Sequence, residues 1–158
     1  MPEIDFAFLA DAADARPGQK FAVIGGGVSR VGGPSLPVRH PHLALVVGLL
    51  VTAPELGAEH DLRFVLLTPD GAELTTAAAR MSAAGRAEGR DTVLTFSLDL
   101  WNLSFPVAGD YSIRILVNGS ERKRLPLVVE ERAAVNATTG EEAGPPLQPP
   151  FPPPTGRA

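Results

Sequence analysis

Hydrophobic and polar residues alternate with a period of two through most of the chain as far as Glu131, which is the pattern of strands with one buried face. Residues 93–100 are the plainest case: Leu94, Phe96, Leu98 and Leu100 fall on one face, Thr95, Ser97 and Asp99 on the other. Residues 109–129 read as a hairpin. Tyr111, Ile113, Ile115 and Val117 share a face, and Leu125, Leu127 and Val129 return on one face after Asn118-Gly119. Asn-Gly tolerates the two positive φ angles of a type I′ turn. Pro126 cannot donate to a ladder, so the last strand is expected at a sheet edge or beside a bulge.

The earlier part of the chain follows the same rule less evenly. Ile4, Phe6 and Phe8 share a face of residues 4–10, Arg16-Pro17-Gly18 is turn chemistry, and residues 20–26 form a second strand with Phe21 and Val23 on one side. Residues 25–42, GGGVSRVGGPSLPVRHPH, hold too many Gly and Pro for a regular element. They predict a long loop with at most a short strand at its start. Residues 42–52, HLALVVGLLVT, are apolar on both faces, as in a central strand covered on both sides. Gly48 and the β-branched residues favour that reading over a buried helix. Residues 55–61 predict an exposed acidic loop. Residues 62–68 alternate again, Thr68-Pro69-Asp70-Gly71 makes a turn, and residues 73–80 return as the partner strand. The alanine-rich stretch from Ala77 to Ala84 stays open between strand and a helical turn.

The totals bound what such a chain can be. At 158 residues one domain is expected, and 16 Gly with 16 Pro suit a turn-rich all-β chain. A net charge of -4 argues against an electrostatic nucleic-acid binder. With no cysteine, disulfides and thiolate metal sites are excluded and a cytoplasmic setting is favoured. Glu3 and Asp5 stand where a signal peptide needs positive charge, and the apolar run at residues 43–51 falls short of the roughly 20 residues a membrane span needs. Periodicity stops after Glu131. Residues 1–131 are therefore expected to form one β-sandwich domain and residues 132–158 a disordered Pro-rich tail, with polyproline II character over residues 145–154.

Each motif with chemical potential also has a structural reading. GGGVSRVGG lacks the Lys-Ser/Thr of a phosphate loop, the third glycine of a dinucleotide fingerprint and the second glycine of a nucleophile elbow. Glycines that let a strand bend are the better account. His40 and His42, two apart, could form half of a metal site, but His60 falls at the opposite end of the sheet, so no metal site is assigned. Glu55, Glu59, Asp61, Asp70 and Asp110 sit in turns, where acids are expected for solubility. Glu121-Arg122-Lys123-Arg124 is read as protection of an edge strand. The proline tail is read as a spacer rather than a groove ligand. No catalytic, cofactor-binding or metal-ligating residue is assigned, and no cofactor.

Gly109-Asp110-Tyr111 is similar to the tyrosine corner of immunoglobulin-like sandwiches, with Ile113 where an antibody domain carries cysteine. More widely, ADAADARPGQKFAVIGGGVSRV, SLPVRHPHLALVVGL, LLTPDGAEL and WNLSFPVAGDYSIRILVNG followed by LPLVV occur in an order that resembles a family of small uncharacterised bacterial proteins. The resemblance runs from about Asp5 to Val129; Gln19-Lys20 replaces the family's Gly-Lys pair. It implies an immunoglobulin-like sandwich in bacterial cytosol and supplies no activity or catalytic residue.

The expectation is thus an all-β, immunoglobulin-like antiparallel β-sandwich of about 7–8 strands, not an enzyme, acting by protein–protein contact. Its partner is an unknown protein, not nucleic acid or membrane, and a homo-oligomer is compatible with the sequence. The alternative is a small-ligand or carbohydrate-binding sandwich. Trp101 separates the two: exposed it favours a stacking platform, buried it favours the interaction module.

Overall fold

The computed structural model describes residues 1–83 and 90–133. Nine strands occur among them: β1 (Glu3–Asp14), β2 (Ala22–Gly26), β3 (Arg30–Gly33), β4 (Val38–Val51), β5 (Glu59–Leu67), β6 (Glu73–Ser82), β7 (Thr92–Phe105), β8 (Gly109–Val117) and β9 (Ser120–Glu131). They make two sheets, in the orders β2-β1-β4-β7 and β3-β9-β8-β5-β6. The chain crosses between sheets after β2, β3, β4, β6 and β7, so apart from the hairpins β1–β2, β5–β6 and β8–β9 neighbours within a sheet are distant in sequence. This is an all-β, immunoglobulin-like sandwich.

Three expectations need correction. Residues 25–42 are not one long loop: they contain β3 and the start of β4, which raises the strand count to nine. Gly25 (φ +61°) and Gly27 (φ +87°) bend the chain there, and the amides of Gly27 and Val28 both donate to the Leu9 carbonyl, at 2.8 and 2.9 Å. The bend carries the chain into the other sheet, where β3 pairs with β9 in parallel, an exception to the antiparallel rule. Residues 55–61 are not an exposed loop either. A 3-10 turn at Ala53–Glu55 leads into β5, and His60 is buried. Finally, β9 is not an edge strand throughout. It pairs with β3 at Val128 to Glu131; Pro126 precedes that stretch, and the bulge lies further back, between Ile115 and Leu116 of β8.

The return strand after Thr68-Pro69-Asp70-Gly71 is present as β6, so Ala77 to Ser82 are extended. Ala84 and, of the expected disordered tail at residues 132–158, everything from Ala134 onward lie outside the described residues.

The core lies between the sheets. Leu43, Leu45, Val47, Leu49 and Val51 of β4 meet Phe64 and Leu66 of β5 and Tyr111, Ile113, Ile115 and Val117 of β8. Ala44 and Val46, on the opposite face of β4, are also fully buried, as the apolar run predicts. The chain covers them itself. The end of β1 leaves the plane of its sheet: the Ala15 amide donates to Ser97 Oγ, and the Ser97 amide to the Ala15 carbonyl, both at 3.3 Å. Since β4 separates β1 from β7 in the sheet, these bonds place the β1–β2 hairpin across the outer face of β4.

The half-buried Phe6 and Phe8 lie on that face, and the more exposed Phe21 packs on Phe6. A register shift between Ile4 and Phe6 changes which face each residue takes. Ile4 points to the core, whereas Phe6 pairs with Gly48 and Phe8 with Val46 on the outer face. The Phe6 ring lies where a Gly48 side chain would be: a Cβ there would fall 2.4 Å from it. Phe6 also stacks with Phe8 and Phe21, centroids 6.2 and 6.0 Å apart.

The closing hairpin forms as its sequence predicts. Asn118 (φ +48°) and Gly119 (φ +82°) supply the turn, and Asn118 also caps the start of β5 by accepting from the Asp61 amide at 2.9 Å. Gly109 is required twice over, by φ +144° and by Pro69, 2.8 Å from where a Cβ would stand. Tyr111 is buried. Its hydroxyl donates to the Val107 carbonyl at 2.8 Å and accepts from the Val107 amide at 3.4 Å, which is the tyrosine corner. The ring packs edge-on against Phe105 (5.1 Å, 84°).

Removing only that hydroxyl leaves a poorly hydrated carbonyl without its donor. Tyr111→Phe should therefore cost about 1–3 kcal/mol of stability. Tyr111→Ala adds a cavity and should cost roughly 3–5 kcal/mol. Urea unfolding of the three proteins checks both; an unchanged midpoint for Tyr111→Phe would remove the corner.

Candidate functional site

His60 lies apart from the other two histidines as the sequence implies, but His40 and His42 also separate. His42 faces Trp101 across the β4–β7 ladder, and the two rings stack at 4.0 Å and 28°. His42 Nε2 donates to Asp99 Oδ1 at 2.7 Å, so the imidazole is held from two sides. His40 is opposite Leu103 instead and lines a depression of about 390 Å³ with Arg39, Pro41, Asn102, Leu103 and Ser104. His60 is buried at the other end of the sandwich, 3.3 Å from the Glu55 carbonyl and 3.4 Å from Asn118 Nδ2. Among the described residues no three His, Asp or Glu side chains are grouped to hold a metal ion.

Several of the turn carboxylates have structural partners. Glu55 accepts from the Thr52 amide (3.0 Å) and hydroxyl (2.7 Å), and the N-terminal ammonium together with these bonds lowers its pKa to about 2. Asp70 is held below the usual carboxylate range by the Thr68 hydroxyl, and Asp61 pairs with Arg80 at 2.9 Å.

The decisive feature of the surface is the difference between its two broad sides. On the five-stranded sheet the outer face is ionic: Arg63 pairs with Glu73, Arg80 with Asp61, and Glu121 with both Arg114 (2.6 Å) and Arg124 (2.9 Å). On the hairpin side, Phe21 (42%), Ile24 (71%), Val93 (39%) and Trp101 (64%) are exposed. The other large exposed apolar side chains, Met1, Leu36 and Val107, lie at the N-terminus, in the β3–β4 connection and in the β7–β8 turn. Trp101 is the most informative of the four. One indole face rests on His42, and the next residue, Asn102, holds a left-handed φ of +52° inside β7. That conformation costs a non-glycine residue free energy and is over-represented at functional sites.

Sequence reasoning missed this side because alternation puts Ile4, Phe6 and Phe8 on one face, whereas only Ile4 faces the core. Phe6, Phe8 and Phe21 belong to the outer face of the four-stranded sheet. Only the register shift at Asp5 reveals it, and a bulge has no signature in an alternating Ile-Asp-Phe-Ala-Phe run.

The chain belongs to a family of unknown function (DUF6941), which it matches over residues 5–130. No curated protein matches it. Among solved structures, it is similar to the alkylpurine DNA glycosylase AlkC of Pseudomonas fluorescens, bound to DNA containing an abasic site analogue: 12% identity, TM-score 0.46, 81% of this chain. The chain spans only 30% of that protein's length. The C-terminal domain of wzt is 14% identical with TM-score 0.45, covering 83% of this chain and 74% of that one. An immunoglobulin-like protein of Pseudomonas aeruginosa is 13% identical with TM-score 0.40, covering 82% and 97%. Likenesses at this level carry no functional argument. No helix among the described residues is long and apolar enough to cross a membrane.

The ionic side makes a test of its own. Arg124 and then Arg114 hold Glu121 at about 2, below its usual value of 4.5. The folded pKa is depressed, so this contribution is full above about pH 4.5 and is lost as pH falls toward 2. Glu121→Gln should melt lower than wild type at pH 7, with the gap closing near pH 2; a gap independent of pH would contradict the ion pairs.

Proposed function

We propose that this member of the family is a non-enzymatic module acting by protein–protein contact, through the hairpin side of the sandwich. One observation carries the reading: exposed Phe21, Ile24, Val93 and Trp101 belong to one side, while the opposite face is neutralised by its own ion pairs. Exposed apolar groups concentrated on one side of a domain mark contact surfaces, and aromatic anchors contribute most of the binding free energy there. No catalytic residue, cofactor or metal enters this reading. The cytoplasmic setting rests on the absence of cysteine, and a second copy of the chain is one partner such a surface could take.

A second reading has its own support. Trp101 is exposed, which is the condition that favours a stacking platform for a small ligand or carbohydrate. Its indole is backed by His42 and flanked by Asp99 and Asn102, groups able to hydrogen-bond a sugar. The larger spread of apolar groups through Phe21, Ile24 and Val93 exceeds what one sugar ring needs, so protein contact is preferred.

The test is affinity capture from the native host with quantitative mass spectrometry, comparing wild type with Ile24→Glu/Val93→Glu. Both positions are exposed, so folding should change by no more than about 0.5 kcal/mol each. A partner retained by wild type and by Arg63→Ala/Arg80→Ala, but lost by the hairpin-side variant, is expected. For that partner Trp101→Ala should cost about 2 kcal/mol of affinity. Identical captured sets would reject the surface. Polysaccharide binding that needs Trp101 but neither Ile24 nor Val93 would move the conclusion to the second reading.

A further inference from the structure

We infer that the chain's own Pro-rich segment, residues 145–154, docks on the exposed face of Trp101. The inference shares Trp101 with the surface proposed above but needs no outside partner.

The path is visible at the point where the sandwich ends. The amide of Arg132 donates to the Gly33 carbonyl at 2.8 Å, which fixes the chain beside β3 as it leaves β9. Gly33 adjoins Val38, and Val38 opposite Phe105 opens the ladder that leads to His42 and Trp101. Two depressions mark the same route. One, of about 440 Å³, is lined by Gly32, Gly33, Pro34, Ser35, Pro37 and Arg39. The other is the depression beside Asn102 already described, and Arg39 lines both. Two depressions that share Arg39 thus lie between Gly33, which holds the Arg132 amide, and Asn102, the residue next to Trp101.

Length and charge agree with that route. From Val38 to His42 is four residues, about 13 Å of strand. Residues 134–144 provide an eleven-residue connection, whose random-coil end-to-end distance is about 18 Å. A linker matched to its span gives a local concentration in the mM range, so even a mM contact is about half occupied. Glu141 and Glu142 lie in that connection, and Arg39, which lines both depressions, has no carboxylate partner among the described residues.

The receptor chemistry suits the ligand. Residues 145–154, PPLQPPFPPP, contain seven prolines and favour a polyproline II helix, which needs little further ordering to bind. Such helices dock on aromatic surfaces, proline rings against indole. Trp101 offers one open face, and His42, itself fixed by Asp99, keeps the indole from turning away. Docked there, the tail occupies one end of the hairpin-side surface and competes with whatever binds it.

Trp101 is the only tryptophan, so its fluorescence reports the contact directly. Acrylamide quenching should be compared in the full chain and in a full-length variant carrying Pro149→Ser, Pro150→Ser, Pro152→Ser, Pro153→Ser and Pro154→Ser. Half occupancy predicts quenching about twofold weaker in wild type, unchanged on dilution. A synthetic 145–154 peptide at mM concentration should restore protection to the variant. Equal quenching in the two proteins would overturn the inference while leaving the partner surface untouched. Protection lost on dilution would overturn it too, since that marks docking between copies.

Discussion

Strand β4 must be buried on both faces, and the rest of the architecture follows from how that is met. Its inner residues, from Leu43 to Val51, are covered by the opposite sheet. Its outer residues Ala44 and Val46 have no third sheet to cover them, yet they are fully buried. The chain solves this by turning the end of β1 out of its sheet and folding β2 back with it. Gly48 is the point where the arrangement is tightest, because Phe6 lies where any side chain would have to go. The hairpin is therefore part of the packing and not a decoration on it. Fully burying one apolar side chain contributes roughly 1.5–3 kcal/mol, and the half-buried Phe6 and Phe8 each contribute part of that, as Ala44 and Val46 do beneath them.

This solution makes the two broad sides of the molecule unlike. The five-stranded sheet keeps a solvated face of paired charges, where Glu121 links Arg114 and Arg124. The hairpin side has used its phenylalanines for packing and still leaves Phe21 and Ile24 partly in water, with Val93 and Trp101 on the sheet it overlies. The stacked His42–Trp101 pair belongs to the same side, so structure and proposed contact surface share one origin.

The parts of the fold fixed by local chemistry were legible in the chain. Asn118-Gly119 implies its turn, Gly109-Asp110-Tyr111 implies the corner that Tyr111 makes with Val107, and the apolar run in β4 implies cover on both faces. The family resemblance and the sandwich were legible on the same grounds. What was not legible depends on backbone geometry that side chains do not announce. β3 exists because bent glycines bring Arg30 to Gly33 alongside β9, a pairing with no hydrophobic period to mark it. The outward turn of Phe6 depends on one bulged residue. The chain shows that Trp101 separates the two functional readings, but its exposure follows from its place on the outer face of β7, beyond the cover of the hairpin. The spacing of His40 and His42 suggests half a metal site; the use of His42 as a support for Trp101 depends on which residue lies across the ladder.

The placement of the β1–β2 hairpin over β4 underlies both the packing and the contact surface. Inter-residue NOEs in isotopically labelled protein test it most directly. The fold predicts cross-peaks between the ring protons of Phe6 and Phe21, and between the amide of Ala15 and the protons of Ser97. It also predicts Val46 methyl groups shielded from a soluble paramagnetic agent. A hairpin that simply extends the sheet at its edge would give neither set of cross-peaks and would leave the Val46 methyls open to the agent, and that result would contradict the structure proposed to carry the function.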